Sequence, residues 1–301
     1  MAKNKDKVMG ALLGVAIGDA LGAPLEFMTA DQIRDTHGGP VRDMIGGGWL
    51  NVAPGEITDD TQMTLAVAEG IAANPRDPIP EIGRRFIDWY DSGPKDIGNC
   101  CRAAIAYAKA DGAKDFRRWL DAAQRVHEDT GGQTAGNGAL MRTIYPALWY
   151  GPGEATFIAG QIAMMTHIHD HSRSAVIAYT RAVLDLIHSH DGAIEWGKEQ
   201  INRNVKPVRE LTSKATLQPD GYAPNGLILA VDAINATNSF EAALIQAVNL
   251  GGDADTIGAI TGGLAGALYG AEAIPTRWAN KLDTGIAKQI GKLAKYAAKQ
   301  A

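Results

Sequence analysis

The sequence predicts an all-α protein, because apolar residues recur at spacings of three and four, alternating strand patterns are nearly absent, and glycines gather between the helical stretches. The expected architecture is a compact single-domain orthogonal helix bundle with Gly-rich active-site loops. Its 301 residues, 46% hydrophobic and 21% charged, are enough to bury one large core, and no linker-like stretch divides them. One domain over 1–301 is expected, with 281–301 as a C-terminal surface helix.

The first helix is expected over 8–21, where Gly10, Gly14 and Gly18 recur on one face and permit close approach of a neighbouring helix. Helices over 61–73, 82–90, 101–110 and 116–126 follow, each with an Ala-, Leu- or Ile-rich face. The same periodicity marks 139–149, 155–165, 172–188, 227–236 and 240–248. The stretch 256–269 is strongly apolar but shorter than the ~20 residues needed to cross a bilayer, so it reads as a buried helix. In 281–301, Lys281, Lys288, Lys292, Lys295 and Lys299 alternate with Ile286, Ile290, Leu293 and Tyr296. Such a basic amphipathic helix packs at a surface by its apolar face more often than it binds membranes.

Charge narrows the partners. A formal net charge of -5 opposes an extended nucleic-acid surface, which would need clustered Lys and Arg, and leaves small molecules or proteins. The two cysteines, Cys100 and Cys101, are adjacent; their Cα atoms lie about 3.8 Å apart, closer than ordinary disulfide geometry, which suits a reducing compartment. The basic N-terminus leads into an apolar run interrupted by Gly10, Gly14, Gly18 and Asp19, with no convincing cleavage site after it. A cytoplasmic monomer without a transmembrane segment is expected.

Two acidic clusters carry the chemistry. Thr58-Asp59-Asp60 and Asp253-Ala254-Asp255-Thr256 each open an expected helix, supplying four carboxylates and two hydroxyls from opposite ends of the chain. A helix start needs only one short oxygen-bearing side chain as its N-cap, so the doubled carboxylates exceed what capping requires. Crowded carboxylates need a cation, or some must give up their ionisation. Oxygen ligands without thiolate or imidazole suit Mg²⁺, Mn²⁺ or Ca²⁺. Two such ions about 3.5–4 Å apart activate water, which points to a hydrolase before a redox enzyme.

Glycine is frequent, at 35 residues. The groups Gly46-Gly47-Gly48, Gly131-Gly132, Gly136-Asn137-Gly138 and Gly251-Gly252 fall in loops where backbone N–H groups can approach an anion. Neither a P-loop nor a dinucleotide fingerprint is present. A diphosphate at 136–142 and a plain loop with glycine turns are both open from these residues alone.

Taken in order, 14–22 (Gly-Val-Ala-Ile-Gly-Asp-Ala-Leu-Gly) with Glu26, Thr58-Asp59-Asp60-Thr61, 136–142 (Gly-Asn-Gly-Ala-Leu-Met-Arg), Thr166-His167 and 251–256 (Gly-Gly-Asp-Ala-Asp-Thr) resemble the ADP-ribosylglycohydrolase family. The resemblance runs from about residue 10 to 270 and is most specific in the two acidic motifs. It implies an all-α protein that binds two divalent ions, Mg²⁺ or Mn²⁺, and cleaves ADP-ribose from a modified acceptor. By that resemblance the metal ligands would be Thr58, Asp59, Asp60, Asp253, Asp255 and Thr256. Glu26 would stand near the scissile bond, to deprotonate the water or to steer protons to the leaving group. Gly136, Asn137, Gly138, Met141, Arg142 and His167 would line the ADP-ribose cleft, and Tyr222 would stack on the adenine.

Asp96 in Asp96-Ile97-Gly98-Asn99 looks like the acidic acceptor-facing residue of members similar to dinitrogenase reductase-activating glycohydrolase. A carboxylate there pairs naturally with a guanidinium, which favours ADP-ribosyl-arginine as the protein substrate and ADP-ribose as product. The alternative for Asp96 is an N-cap. His167 and His171 share a helical spacing compatible with a metal, yet a third and fourth protein ligand are not evident. His188 and His190, near Asp191, read as a helix end. Other functions that stay open are an ADP-ribose-binding or structural relative without catalysis, and a two-metal hydrolase of another ADP-ribosyl or nucleotide compound.

Overall fold

The computed structural model describes residues 3–189, 193–213 and 217–300; His190 and Asp191 lie outside them. Helices α1 (Lys5–Gly22), α2 (Ala30–His37), α3 (Asp59–Ala73), α4 (Ile79–Asp91) and α5 (Asn99–Ala110) form the first third of the chain. Helices α6 (Phe116–Asp129), α7 (Tyr145–Trp149), α8 (Pro152–Met164), α9 (Asp170–His188) and α10 (Ile194–Arg209) form the second. The last third holds α11 (Ala223–Asn235), α12 (Phe240–Val248), α13 (Ala254–Tyr269), α14 (Thr276–Ala279) and α15 (Thr284–Ala297). Among the described residues extended pairing is limited to three isolated bridges, so the all-α expectation holds.

Helices α1 and α13 are the axis of the fold. Along α1 the residues Gly10, Gly14, Gly18 and Gly22 face Gly266, Gly262, Gly258 and Ala254, an antiparallel register in which a methyl group at any of the four α1 glycines would overlap the opposing backbone. A helical glycine costs roughly 0.5–1 kcal/mol against alanine, and here the close backbone packing offsets it through many small dispersion contacts. The other faces of α1 bury Val8, Leu12, Val15, Ile17 and Leu21. The segment Lys5–Leu25 is long and apolar enough to cross a membrane, but 89% of that window is buried inside the protein. An all-round apolar helix is what a core axis requires.

Several helix starts are capped by side chains: Asn4 caps α1, Thr29 and Gln32 form a capping box on α2, Asp115 caps α6, Ser239 caps α12 and Asp283 caps α15. Helices α3 and α13 carry residues suited to capping that do not cap. Thr58 and Asp253 occupy their N-cap positions without making a side-chain cap bond, so the carboxylates at these starts are left for something else. Asp96 is no cap either, because Gly98 holds that position on α5.

Three differences from the expected elements have physical causes. The segment 139–144 is turn rather than helix, and α7 begins only at Tyr145, with Pro146 in its first turn, where proline is compatible. Helix α2 was invisible to periodicity because it buries one residue, Ile33. Helix α10 is mostly polar and contains Pro207, which reads as a breaker. At the far end, α15 buries Ile290, Leu293, Ala294 and Ala297, exposes its lysines, and accepts a 3.0 Å bond from the Tyr145 hydroxyl to the Leu293 carbonyl.

Candidate active site

Because α1 and α13 are antiparallel, the C-terminal end of one meets the N-terminal end of the other. A 3₁₀ turn, Ala23–Leu25, carries the chain from α1 to Glu26. Backbone bonds then clasp the two segments: Phe27 N–H donates to the Gly252 carbonyl and Gly252 N–H to the Met28 carbonyl, both at 2.7 Å. Gly251 and Gly252 reach this pairing with φ of 72° and 63°, a region that favours glycine, and a methyl group at Gly252 would overlap the Pro219 carbonyl.

Asp19 fixes the start of α3. It is fully buried in α1 and accepts from Thr58 N–H (3.0 Å), the Thr58 hydroxyl (2.8 Å), Thr61 N–H (3.1 Å) and the Thr61 hydroxyl (2.5 Å). Burial raises its carboxyl to about 6, while these donors pull the other way. In the sequence it showed as a lone charge inside an apolar helix, within the stretch 14–22.

The two acidic clusters therefore converge from three helix ends. Glu26, Asp253 and Asp255 each offer a carboxylate oxygen within 4.8 Å of the others. Asp60 lies behind them at 1% exposure; its Oδ2 takes long 3.4 Å bonds from the hydroxyls of Thr58 and Thr256, and its Oδ1 has no partner. Burial, then the neighbouring carboxylates, push Asp59, Asp60 and Asp255 well above the usual carboxylate range. Glu26 rises to about 8, chiefly through burial, although the Trp49 indole N–H at 2.5 Å from its Oε2 opposes the rise. Buried carboxylates held this close, with one oxygen unbonded, fit hard divalent cations, which take oxygen ligands. Imidazole takes no part in any such group among the described residues.

These groups floor a cleft of about 690 Å³. Glu26, Asp59, Asp96, Gly136, Asn137, Gly138, Met141, His167, Asp253, Asp255 and Thr256 all line it, while Thr58 and Asp60 sit beneath. Asn137 donates to Asp253 Oδ2 at 2.7 Å and its backbone N–H to the Gly221 carbonyl at 2.8 Å. Gly136 and Gly138 are small because His167 lies over them: an added methyl carbon would sit 3.0 Å and 3.2 Å from its ring. The Thr166 hydroxyl accepts from Arg142 at 2.6 Å and contacts His167 Nδ1 at 2.7 Å. Donating its one hydrogen to Nδ1 satisfies both bonds and leaves the proton on Nε2. Burial and the Arg142 charge hold the ring neutral, with its pKa lowered to about 3.

Two expected cleft residues are placed elsewhere. Arg142 is fully buried and does not line the cleft: its guanidinium spans the Gly138 carbonyl (2.9 Å), the Ile162 carbonyl (3.1 Å) and Thr166, and stacks over Phe86. A fixed fork of five donors suits such internal bracing. Tyr222 lies one residue past the lining Gly221, its hydroxyl 2.6 Å from His171 Nδ1. Sequence reasoning also missed Phe27 and Trp49, which line the cleft mouth. The only hint was three glycines before Trp49; Gly46, Gly47 and Gly48 all have positive φ, and a methyl group at Gly48 would meet the Pro24 backbone.

An all-helical frame brings buried carboxylates from the ends of α1, α3 and α13 to one cleft, and the family matched by this chain makes it a hydrolase of glycosyl bonds. The chain belongs to the ADP-ribosylglycohydrolase family, whose model matches residues 1–301. It is similar to ADP-ribosyl-[dinitrogen reductase] glycohydrolase of Rhodospirillum rubrum, 37% identical over 95% of this chain and 93% of that protein. It is also similar to ADP-ribosylarginine hydrolase Tri1 of Serratia proteamaculans, 32% identical over 93% of this chain and 76% of that one. Among solved structures, an ADP-ribosylglycohydrolase-related protein complex superposes with a TM-score of 0.80, at 30% identity, over 98% of both chains.

Proposed function

We propose that the protein hydrolyses the N-glycosidic bond between ADP-ribose and a modified arginine side chain of a protein, using a pair of divalent ions. The observation that carries this is the convergence of Glu26, Asp253 and Asp255 beside the unbonded oxygen of Asp60 in a cleft large enough for a nucleotide. Thr58, Asp59, Asp60, Asp253, Asp255 and Thr256 would hold the ions, Mg²⁺ or Mn²⁺. Bound there, the ions supply Lewis acidity towards water and the ribose hydroxyls.

The remaining work falls to this chain's own groups. The C1–N bond breaks, the water oxygen bonds to C1, and one water proton ends on the departing guanidine nitrogen. Glu26, oriented by Trp49 against the cleft, relays that proton. Nearby carboxylate oxygens stabilise the cationic ribose ring as it forms. His167 Nε2–H and the Asn137 amide face the nucleotide side. Asp96, beside Asp59 at the mouth, receives the guanidinium. The arginine acceptor is supported by this carboxylate and by the name of the Serratia proteamaculans relative. ADP-ribose release from mono-ADP-ribosylated arginine and serine peptides tests it, with Mg²⁺, with Mn²⁺ and after chelation. Metal-dependent release from arginine alone is expected; release from serine instead would refute the acceptor.

A further inference from the structure

We propose that Phe27 and Trp49 form an aromatic platform that selects a guanidinium acceptor; this rests on the hydrolase reading above and adds to it the means by which arginine is recognised. Phe86, Phe240, Trp119 and Trp278 are fully buried, and of the exposed rings Phe157, Trp196 and Tyr296 lie away from the cleft lining. Phe27 and Trp49 are instead 68% and 53% exposed, and they pack on each other with ring centroids 5.3 Å apart and planes tilted by 48°. Both line the cleft mouth next to Glu26 and Asp96.

The backbone holds this pair out of the core at a cost. Phe27 has φ of 63°, a conformation that strains a residue with a side chain by about 1–3 kcal/mol unless its surroundings fix it. Its N–H bond to the Gly252 carbonyl does so, and ties the ring's position to the strand of chain that enters Asp253. Trp49 is fixed at its other edge, by the indole bond to Glu26. The two rings are therefore placed relative to the acidic groups by bonds on both sides.

The chemistry of the mouth then selects its occupant. Ring faces carry negative quadrupole potential, and with Asp96 alongside they suit a flat cation, which can stack on a ring while its edge pairs with the carboxylate. A serine acceptor offers neither the charge nor the planar surface. The charge of the mouth and its aromatic wall thus both point to the guanidinium and its alkyl stem.

Phe27→Gly tests this without disturbing the fold, since glycine adopts a φ of 63° freely and the ring is exposed. The expected result is a KM for an ADP-ribosyl-arginine peptide raised about fivefold or more, with the Kd for ADP-ribose itself, measured by calorimetry, within twofold of the unsubstituted protein. In Trp49→Phe, which keeps a ring but lacks the indole N–H, kcat should fall more than KM rises. If the unsubstituted protein cleaves the peptide and Phe27→Gly leaves KM unchanged, or weakens ADP-ribose in parallel, the platform is overturned and the hydrolase reading stands. If the unsubstituted protein releases nothing from arginine, the acceptor reading falls and the platform with it.

Discussion

The two walls of the cleft are built in opposite ways. The inner wall, formed where α1, α3 and α13 end together, is rigid and dry: Asp59, Asp60, Asp255 and Thr256 are all 5% exposed or less, and the helices behind them touch backbone to backbone. The outer wall is made of loop residues, with Phe27, Trp49 and Asp96 open to solvent to differing degrees. Charges that must be held close against their repulsion need a frame that cannot relax, because burial strengthens electrostatic interactions of both signs. A surface that meets a variable protein acceptor has no such need. The same chain spends glycines on rigidity within α1 and on turns before Trp49.

The contrast can be broken most forcefully at the inner wall. Asp255→Ala should lower turnover about a thousandfold, the loss expected when several kcal/mol of charge stabilisation disappear, as read by ADP-ribose release. A change below tenfold would mean that the inner wall does not hold the reacting groups. Next, Gly14→Ala places a methyl group into the Gly262 carbonyl; a loss of about 3 kcal/mol is expected from such overpacking, measured as a shifted urea midpoint.

Proton linkage separates the walls in a third way. The folded carboxyl of Glu26 lies at about 8 against an ordinary 4.5, and Asp59, Asp60 and Asp255 are raised as well. A raised carboxyl contributes stability below its unfolded value and loses it as pH climbs to the folded value. His167, lowered to about 3 from 6.5, acts only below pH 6.5. Between pH 6.5 and 8 the chelated protein should therefore lose thermal stability as pH rises, and Mn²⁺ should restore more of it at pH 8 than at 6.5. A flat profile in scanning calorimetry would show that the carboxylates are not crowded in solution.

Smaller effects belong to the outer wall and the surface. Asp96→Asn should reduce kcat/KM on the arginine peptide about tenfold, as expected for one charge-assisted bond, while leaving ADP-ribose affinity in place. Gly160→Ala in α8, where nothing lies within 4 Å of an added methyl group, should stabilise by about 0.5–1 kcal/mol in the same urea titration. Its sign, opposite to that of Gly14→Ala, would show that the axial glycines are there for contact.

The inner wall was far more legible in the sequence than the outer. The face of Gly10, Gly14 and Gly18 and the doubled carboxylates at two helix starts are local patterns, and the structure brings both together. Asp19 showed as a charge in an apolar run without its role, which depends on Thr58 and Thr61 folding back upon it. Arg142 sits in a motif that suggested a ligand, but a buried guanidinium and an exposed one look alike in sequence. Phe27 and Trp49 carry no periodic signal at all, because their placement depends on turns and on the clasp at Gly252. Helices α2 and α10 escaped for a related reason: a helix that buries little apolar surface has little periodicity to read.

The central claim is that the inner wall's carboxylates hold a pair of divalent ions. Mn²⁺ titration of the chelated protein, followed by calorimetry and electron paramagnetic resonance, tests it most directly. Two ions per chain are expected, with at least one lost in Asp255→Ala. Saturable binding that is absent, or that is unchanged in Asp255→Ala, would contradict the account.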